Sequence, residues 1–263
     1  MNKSYNYLFL FFPLFINAES IVIDANLNEP EWDTAITINQ YSEVIPFTLQ
    51  PAKEKTVAKV FSNEDGIYIG FTNFQENSTM LSNKSLRDEI SNTADQNWIS
   101  IDFDNDREKA YLFFVTLANI KGDGIRRIGG WPEFDWDGDW EVKTKEYDGY
   151  WVSEFLIPWN VALMKNVDSE ERTINISTVR KIAEKQSWVG DAETSPRRTN
   201  FLLKLKPIRI KNYTQSKFNY FPYISKTYNS VTGFNEDKIG AEIFISSGTV
   251  SYTHLTLPTK RIV

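Results

Sequence analysis

The stretch Ile23-Asp24-Ala25-Asn26-Leu27-Asn28-Glu29-Pro30-Glu31-Trp32 decides how the rest of this chain is read. Its approach, Ile21 to Ile23, has the texture of a short apolar strand. The strand breaks at Asp24 into a polar turn, and the chain returns to the core through Trp32. Taken alone, this is a capped first strand with a buried indole. Outward from it, the same alternation of short apolar runs and Asn, Asp or Gly turns recurs, a spacing that predicts a sandwich or barrel. Thr56–Phe61 and Ile67–Phe74 flank Asn63-Glu64-Asp65-Gly66, a hairpin with Gly where positive φ is wanted. In Trp98–Phe103 the side chains Ile99, Ile101 and Phe103 point one way and Trp98, Ser100 and Asp102 the other. Ala110–Leu117 is apolar on both faces, as a central strand is, and Glu141–Glu146 pairs with Tyr150–Ile157 around Tyr147-Asp148-Gly149. Ile174–Ile182 and Phe201–Leu205 would close the layers. The expected class is all-β: an antiparallel, jelly-roll-like β-sandwich with one or two helical turns, at Ser85–Ile90 and after Pro158.

The ends narrow the setting. Residues 1–18 read as a secretory leader, with Lys3 in the n-region, Leu8–Ile16 as the apolar stretch and Ala18 at the cleavage point. Val250–Thr259 resembles the translation of a transposase adapter used in sequencing libraries, which would make residues 250–263 a foreign tail; the alternative is a genuine β-strand ending, since the segment is rich in Thr, Leu and Tyr. The only histidine of the chain, His254, falls in that tail, and there is no cysteine. The body is therefore without imidazole or thiolate metal sites, Ser-His or Cys-His nucleophiles, and disulfides. The net charge is −6 at pH 7, and setting aside Lys3, Lys260 and Arg261 makes the body more negative still. Lys and Arg are scattered singly, which argues against a phosphate-backbone partner. Aromatic residues reach 14%, and these favour strands.

The opening resembles the start of the family 9 carbohydrate-binding module. Further segments are similar, in order, to the version of that module that precedes a barrel-like domain of unknown function in bacterial envelope proteins. They are Ile67-Tyr68-Ile69-Gly70, Leu86-Arg87-Asp88, Ile101 to Asp106, Ala110-Tyr111-Leu112-Phe113, Phe134 to Trp140, Gly149 to Glu154 with Ile157-Pro158-Trp159, and Ile174-Asn175-Ile176 with Arg180-Lys181. The resemblance covers about residues 20–205. It implies a module over residues 19–206, then a linker and the start of the barrel-like domain over residues 207–249. One departure stands out: sugar-clamping tryptophans are expected three residues before Asp95 and in the loop after Trp188. This chain has Asn92 and Ser195-Pro196-Arg197-Arg198 there.

Three groups of residues are candidates for chemistry. Trp131, Trp136 and Trp140 alternate with Glu133, Asp135, Asp137 and Asp139 in a Gly-rich loop. Indoles stack on the C–H face of a pyranose while carboxylates accept its hydroxyls. A sugar covering a third of one ring gains on the order of 1–2 kcal/mol. The alternative is that Trp136 and Trp140 pack on the core and the acids solvate the loop. Arg87, Asp88 and Asp95 could bind a ligand at the rim, or form an ion pair that orders the preceding loop. Asp102, Asp104 and Asp106 alternate like the first ligands of a calcium loop, although Arg107 replaces the Gly of the sixth position. Structural calcium is the one cofactor candidate, set against a solvated hairpin turn. Glu154, between apolar neighbours, is expected to pair with an Arg.

The function implied is a non-catalytic carbohydrate-binding module whose partner is a polysaccharide or oligosaccharide. It would belong to an exported protein of the periplasm or outer membrane of a Gram-negative bacterium, meeting the membrane only through the C-terminal domain. No catalytic residue is assigned. The alternatives are a glycoside hydrolase, which needs two carboxyls across a cleft, and a structural periplasmic domain whose sugar affinity has lapsed.

Overall fold

The computed structural model describes residues 21–84, 86–88, 93–213, 216–229, 234–247 and 253–256. The leader expected at residues 1–18 lies outside the described residues, as do Ser85, Glu89, Ile90 and Asn92. In chain order the strands are β1 (Ile36–Ile38), β2 (Ser42–Ile45), β3 (Thr56–Ser62), β4 (Gly66–Phe74), β5 (Gln96–Asp102), β6 (Lys109–Thr116), β7 (Lys121–Arg127) and β8 (Glu141–Tyr147). They continue with β9 (Tyr150–Pro158), β10 (Glu171–Ile182), β11 (Ser187–Gly190), β12 (Lys206–Lys211), β13 (Ser216–Asn229), β14 (Phe234–Ser247) and β15 (Thr253–Thr256). Two antiparallel sheets form a sandwich, one ordered β1-β3-β4-β9-β8, the other β2-β11-β10-β5-β6-β7 with β12 also on β10.

Period-2 alternation builds the core between them. Ile99 and Ile101 of β5, Tyr111, Phe113 and Val115 of β6, and Ile174 and Ile176 of β10 point inward. They meet Ala58 and Val60 of β3, Ile69 and Phe71 of β4, and Phe155 and Ile157 of β9. Each large apolar side chain buried this way stabilises the fold by about 1.5–3 kcal/mol. The expected hairpins form with the expected partners: β3 pairs β4 from Thr56↔Asn73 to Ser62↔Ile67, and β8 pairs β9 from Glu141↔Leu156 to Tyr147↔Tyr150.

Several local expectations are corrected. Ile21–Ile23 is not a strand: it has no sheet partner, and Val22 is 61% exposed. Trp32 is nevertheless buried as expected, in a 3-10 turn over Pro30–Asp33. Its indole and the methyls of Leu27 lie so close above Gly70 that a Cβ there would meet Leu27 at 2.7 Å and Trp32 at 3.0 Å. Gly66 turns the β3–β4 hairpin without a positive φ. A Cβ there would stand 2.3 Å from the Ile157 carbonyl oxygen, so the glycine answers to crowding by β9. Gly149, at φ +80°, is the left-handed position of the β8–β9 turn. After Pro158 there is a single turn, closed by Val161 N–H to the Pro158 carbonyl at 3.0 Å, and not a helix. Among the described residues the short helical turns are at Pro30–Asp33, Asn77–Thr79 and Phe201–Lys204, while the turn expected at Ser85–Ile90 falls partly outside them.

Phe201–Leu205 is likewise not the closing strand. It is largely a 3-10 turn whose Phe201, Leu202 and Leu205 pack on Ala110. The closing strand is β12, paired with β10 from Glu171↔Lys211 to Ile176↔Lys206. The larger sheet therefore takes in residues as far as Lys211, past the division expected at 206. Beyond it, β13, β14 and β15 form a three-stranded antiparallel sheet of their own, and β15 includes His254.

Candidate functional site

The run from Trp131 to Trp140 lies alongside β7, where Ile125 and Glu133 exchange both backbone hydrogen bonds at 2.8 Å. This extended strip alternates: Trp131, Glu133, Asp135, Asp137 and Asp139 are exposed, while Phe134, Trp136 and Trp140 turn in. Trp136 packs against Tyr111 and Phe113, with ring centroids 4.9 and 5.9 Å apart. Trp140 is 1% exposed, stacks on Phe155 at 5.8 Å and donates its indole N–H to Asp123 at 2.5 Å. The three indoles are therefore not one platform. Trp131, 62% exposed, is the accessible member.

Arg87 and Asp88 belong to a compact ion cluster. The Arg87 guanidinium reaches Asp123 at 3.0 Å, Asp137 at 2.9 Å and Asp88 at 3.3 Å. Asp88, held at φ +60°, accepts the Asp123 N–H at 2.9 Å. Burial pushes the Asp123 carboxyl above its ordinary range, with Trp140 and Arg87 opposing. The cluster fastens the segment at residues 86–88 to β7 and to the strip. Asp95 stands apart from it: fully buried, it accepts from Leu81 N–H and Gln75 at 3.0 Å and from Ala183 N–H at 2.8 Å. Burial again raises its pKa, against those bonds.

The three aspartates of the calcium expectation share one turn, but their oxygens serve the protein's own donors. Asp102 accepts from Asp104 N–H at 3.1 Å, Arg107 N–H at 2.8 Å and Asn175 at 2.8 Å. Asp104 accepts Lys165 N–H at 2.7 Å, and Asp106 pairs with the Lys165 amine at 2.7 Å. Arg107, at φ +62°, occupies the left-handed position a glycine would take. Among the described residues no group of three or more acidic or His side chains converges as a metal cage.

The outer face of the larger sheet carries aromatics that reading by motif passes over. Cross-strand neighbours place Phe114, Trp98 and Val179 in one row and Gln96, Lys181 and Trp188 in the next. Trp98 stacks on Phe114 at 4.1 Å, tilts against Trp188 at 5.6 Å and donates to the Gln96 amide oxygen at 2.8 Å. The Lys181 amine lies over the half-buried Trp188 ring at 5.5 Å. Burial, then the Arg197 guanidinium, lowers its pKa to about 8. The signal was present in the alternation of β5, which sends Trp98 away from the core.

Arg126 organises the rim of this face. Its guanidinium, 2% exposed, donates to the carbonyls of Gly130 at 3.1 Å, Pro196 at 2.5 Å and Arg198 at 2.6 Å. It thereby ties the turn that carries Trp131 to the loop where the resemblance looked for a clamping tryptophan. In that loop Arg198 lies 4.1 Å over the Phe47 ring, a cation–π contact with an aromatic that is 41% exposed. The other clamp position, Asn92, is outside the described residues.

Glu154 does not pair with an arginine. It is fully buried on the outer side of β9, and its Oε2 accepts the Asp24 N–H at 2.9 Å and the Ala25 N–H at 2.8 Å. Burial raises its pKa to about 7, against those two bonds. This contact accounts for the opening motif: the turn at Asp24 and Ala25 is fastened to the sheet by a carboxyl about 130 residues away.

The fold so defined is an all-β sandwich of the type formed by carbohydrate-binding modules. The chain is similar to a family 9 carbohydrate-binding module from Caldicellulosiruptor kristjanssonii solved in complex with cellotriose. That similarity has 16% identity and a TM-score of 0.51, covering 73% of this chain and 90% of that one. It is also similar to a proposed carbohydrate-binding protein from Bacteroides uniformis ATCC 8492, at 8% identity and a TM-score of 0.54, covering 69% and 88%. The sequence matches no protein-family model and no curated protein.

Proposed function

We propose that the sandwich is a non-catalytic saccharide-binding module. The observation that carries this reading is the outer face of the larger sheet. There the half-buried Trp188 ring, backed by Trp98, stands beside the rim loops that Arg126 ties together. A flat ring under the Lys181 amine, which in turn feels the exposed Arg197 guanidinium, supplies a stacking surface with hydrogen-bond donors for hydroxyls at its edge. Trp131 extends that rim. The likeness to a module solved with cellotriose supports a saccharide as the ligand class. Glu154, a carboxyl that burial holds near neutrality, lies sealed under the N-terminal segment. It is therefore badly placed to act as the general acid of a hydrolase.

The leader-like residues 1–18 support an exported host protein, in the periplasm or outer membrane of a Gram-negative bacterium, in which the module gathers polysaccharide. Binding is tested by following tryptophan fluorescence while titrating cellotriose, soluble β-glucans and xylo-oligosaccharides. The expected result is a saturable change that Trp188→Ala and Trp131→Ala each weaken. Silence towards every glycan at millimolar concentration would end the proposal and favour a structural domain with lapsed affinity.

A further inference from the structure

A second surface stands at the end of the sandwich where the β10–β11 hairpin turns, one residue pair beyond Lys181 and Trp188. It is an open cleft of about 490 Å³ bounded by the segment Lys53–Lys55, the end of β4 at Phe74 and Gln75, Glu76 and Thr79, Gly149, and Ile182 with Lys185 of the β10–β11 hairpin. Its walls are braced from three sides. Gly149 N–H donates to the Asn77 side chain at 2.8 Å, Gln75 N–H donates to the Gly149 carbonyl at 3.0 Å, and Lys185 is paired with Glu54.

Beneath the floor lies the fully buried Arg180. It donates to the carbonyl of Phe74 at 3.1 Å, to that of Lys55 at 3.3 Å and to the Gln75 amide oxygen at 2.5 Å, so one guanidinium fixes both walls. Burial lowers its pKa to about 10, which leaves it charged at neutral pH.

The chemistry of the cleft is aromatic and cationic. Phe74 is 38% exposed, and the Lys55 amine hovers 4.9 Å from its ring centroid. From Phe74 an aromatic track leads outward, to Tyr150 at 5.9 Å and on to Tyr147, stacked on Tyr150 at 4.8 Å. The Lys145 amine lies 5.1 Å over the far ring. With Lys185 engaged by Glu54, the mouth and track present Lys53, Lys55 and Lys145 against Glu76 and Asp148, the latter accepting from the Asn77 amide at 3.0 Å, in a chain whose net charge is −6. Rings flanked by amines match a sugar that has an apolar face and an anionic substituent.

We propose that this cleft and its track bind an acidic glycan, a chain of uronate residues. Phe74 would stack on one pyranose ring, and Lys55 and Lys53 would meet its carboxylate. The inference rests on the reading of the domain as a saccharide binder, but it concerns a different surface. Calorimetric titration of the full chain with galacturonate, glucuronate and mannuronate trimers, beside neutral cellotriose, tests it. At least one acidic trimer is expected to bind more tightly than cellotriose, with an affinity that falls as salt rises. Phe74→Ala should weaken that trimer about tenfold, the loss of one stacked ring. The K53Q/K55Q double variant should remove its salt dependence, and Trp188→Ala should leave it unchanged. Circular dichroism and thermal melts confirm that each variant is folded. If cellotriose binds and no uronate trimer does, or if uronate binding ignores Phe74→Ala but falls with Trp188→Ala, the second surface is refuted and the general reading stands. If nothing binds at millimolar concentration, both fall together.

Discussion

The outer faces of the two sheets are covered in different ways. Over the centre of the five-stranded sheet lies one continuous segment, residues 24–32, pinned by Glu154 beneath Asp24 and Ala25 and packed through Leu27 and Trp32 onto Gly70. Over the larger sheet lie pieces from distant parts of the chain: Phe134, the loop through Ser195–Arg198 and the turn Phe201–Lys204. The loop and the turn meet on Arg126, Phe134 packs on Trp98 and Phe114, and Trp188 is left half-buried. A cover made of one local segment seals a face and contributes stability. A cover assembled from several loops leaves seams, and seams are where a ligand can enter. Loops set on a rigid scaffold commonly carry binding function for this reason.

The sharpest way to break that contrast is to remove one indole from each side. Trp32→Ala should cost about 3–5 kcal/mol in urea unfolding, as deletion of a buried aromatic does. Trp131→Ala should stay within about 0.5 kcal/mol of the parent, because it is 62% exposed. Equal losses would mean that the two covers do the same job.

The next effect depends on pH. The Glu154 carboxyl has a folded pKa of about 7 against an ordinary 4.5. The folded state therefore holds its proton more tightly than the unfolded chain. That contribution is fully present below pH 4.5 and is lost as pH rises through 7. Glu154→Gln keeps an acceptor for Asp24 and Ala25 without the charge, so it should flatten this slope. By pH 8 it should be more stable than the parent by up to about 3 kcal/mol. Parallel stability–pH curves for the two proteins would show that the pin is not the titrating group.

Smaller again is Trp188→Ala, expected to cost about 1–2 kcal/mol of stability for a half-buried ring and to weaken neutral saccharide about tenfold. Smallest is calcium: with the oxygens of Asp102, Asp104 and Asp106 engaged by Arg107, Lys165 and neighbouring amides, melting in calcium and in EDTA should coincide.

Much of the layered fold was legible because period-2 alternation is a local property. Ile99, Ile101 and Phe103, or the run around Asn63-Glu64-Asp65-Gly66, declare their faces within a few residues. What escaped depends on partners far along the chain. Ile21–Ile23 has the composition of a strand but finds no sheet edge, since the amides that follow it are claimed by Glu154. Phe201–Leu205 is apolar for the same reason a strand would be, yet it buries itself on Ala110 as a 3-10 plug, and β12 takes the edge of β10 instead.

The candidate site was less legible. Trp131, Trp136 and Trp140 look equivalent in a Gly-rich loop, but an extended strip must point alternate residues to opposite sides, and two of the three face the core. Trp98 and Trp188, separated by 90 residues, become neighbours only through β10.

Arg126 has a consequence for how such a domain can change over generations. Because its three hydrogen bonds go to main-chain carbonyls, they are indifferent to the side chains at Trp131, Arg197 and Arg198. Those positions can be rewritten, an indole exchanged for a guanidinium or the reverse, without dismantling the border that displays them. The molecule keeps a durable frame around interchangeable contacts, so what the border displays can change while the architecture stays put.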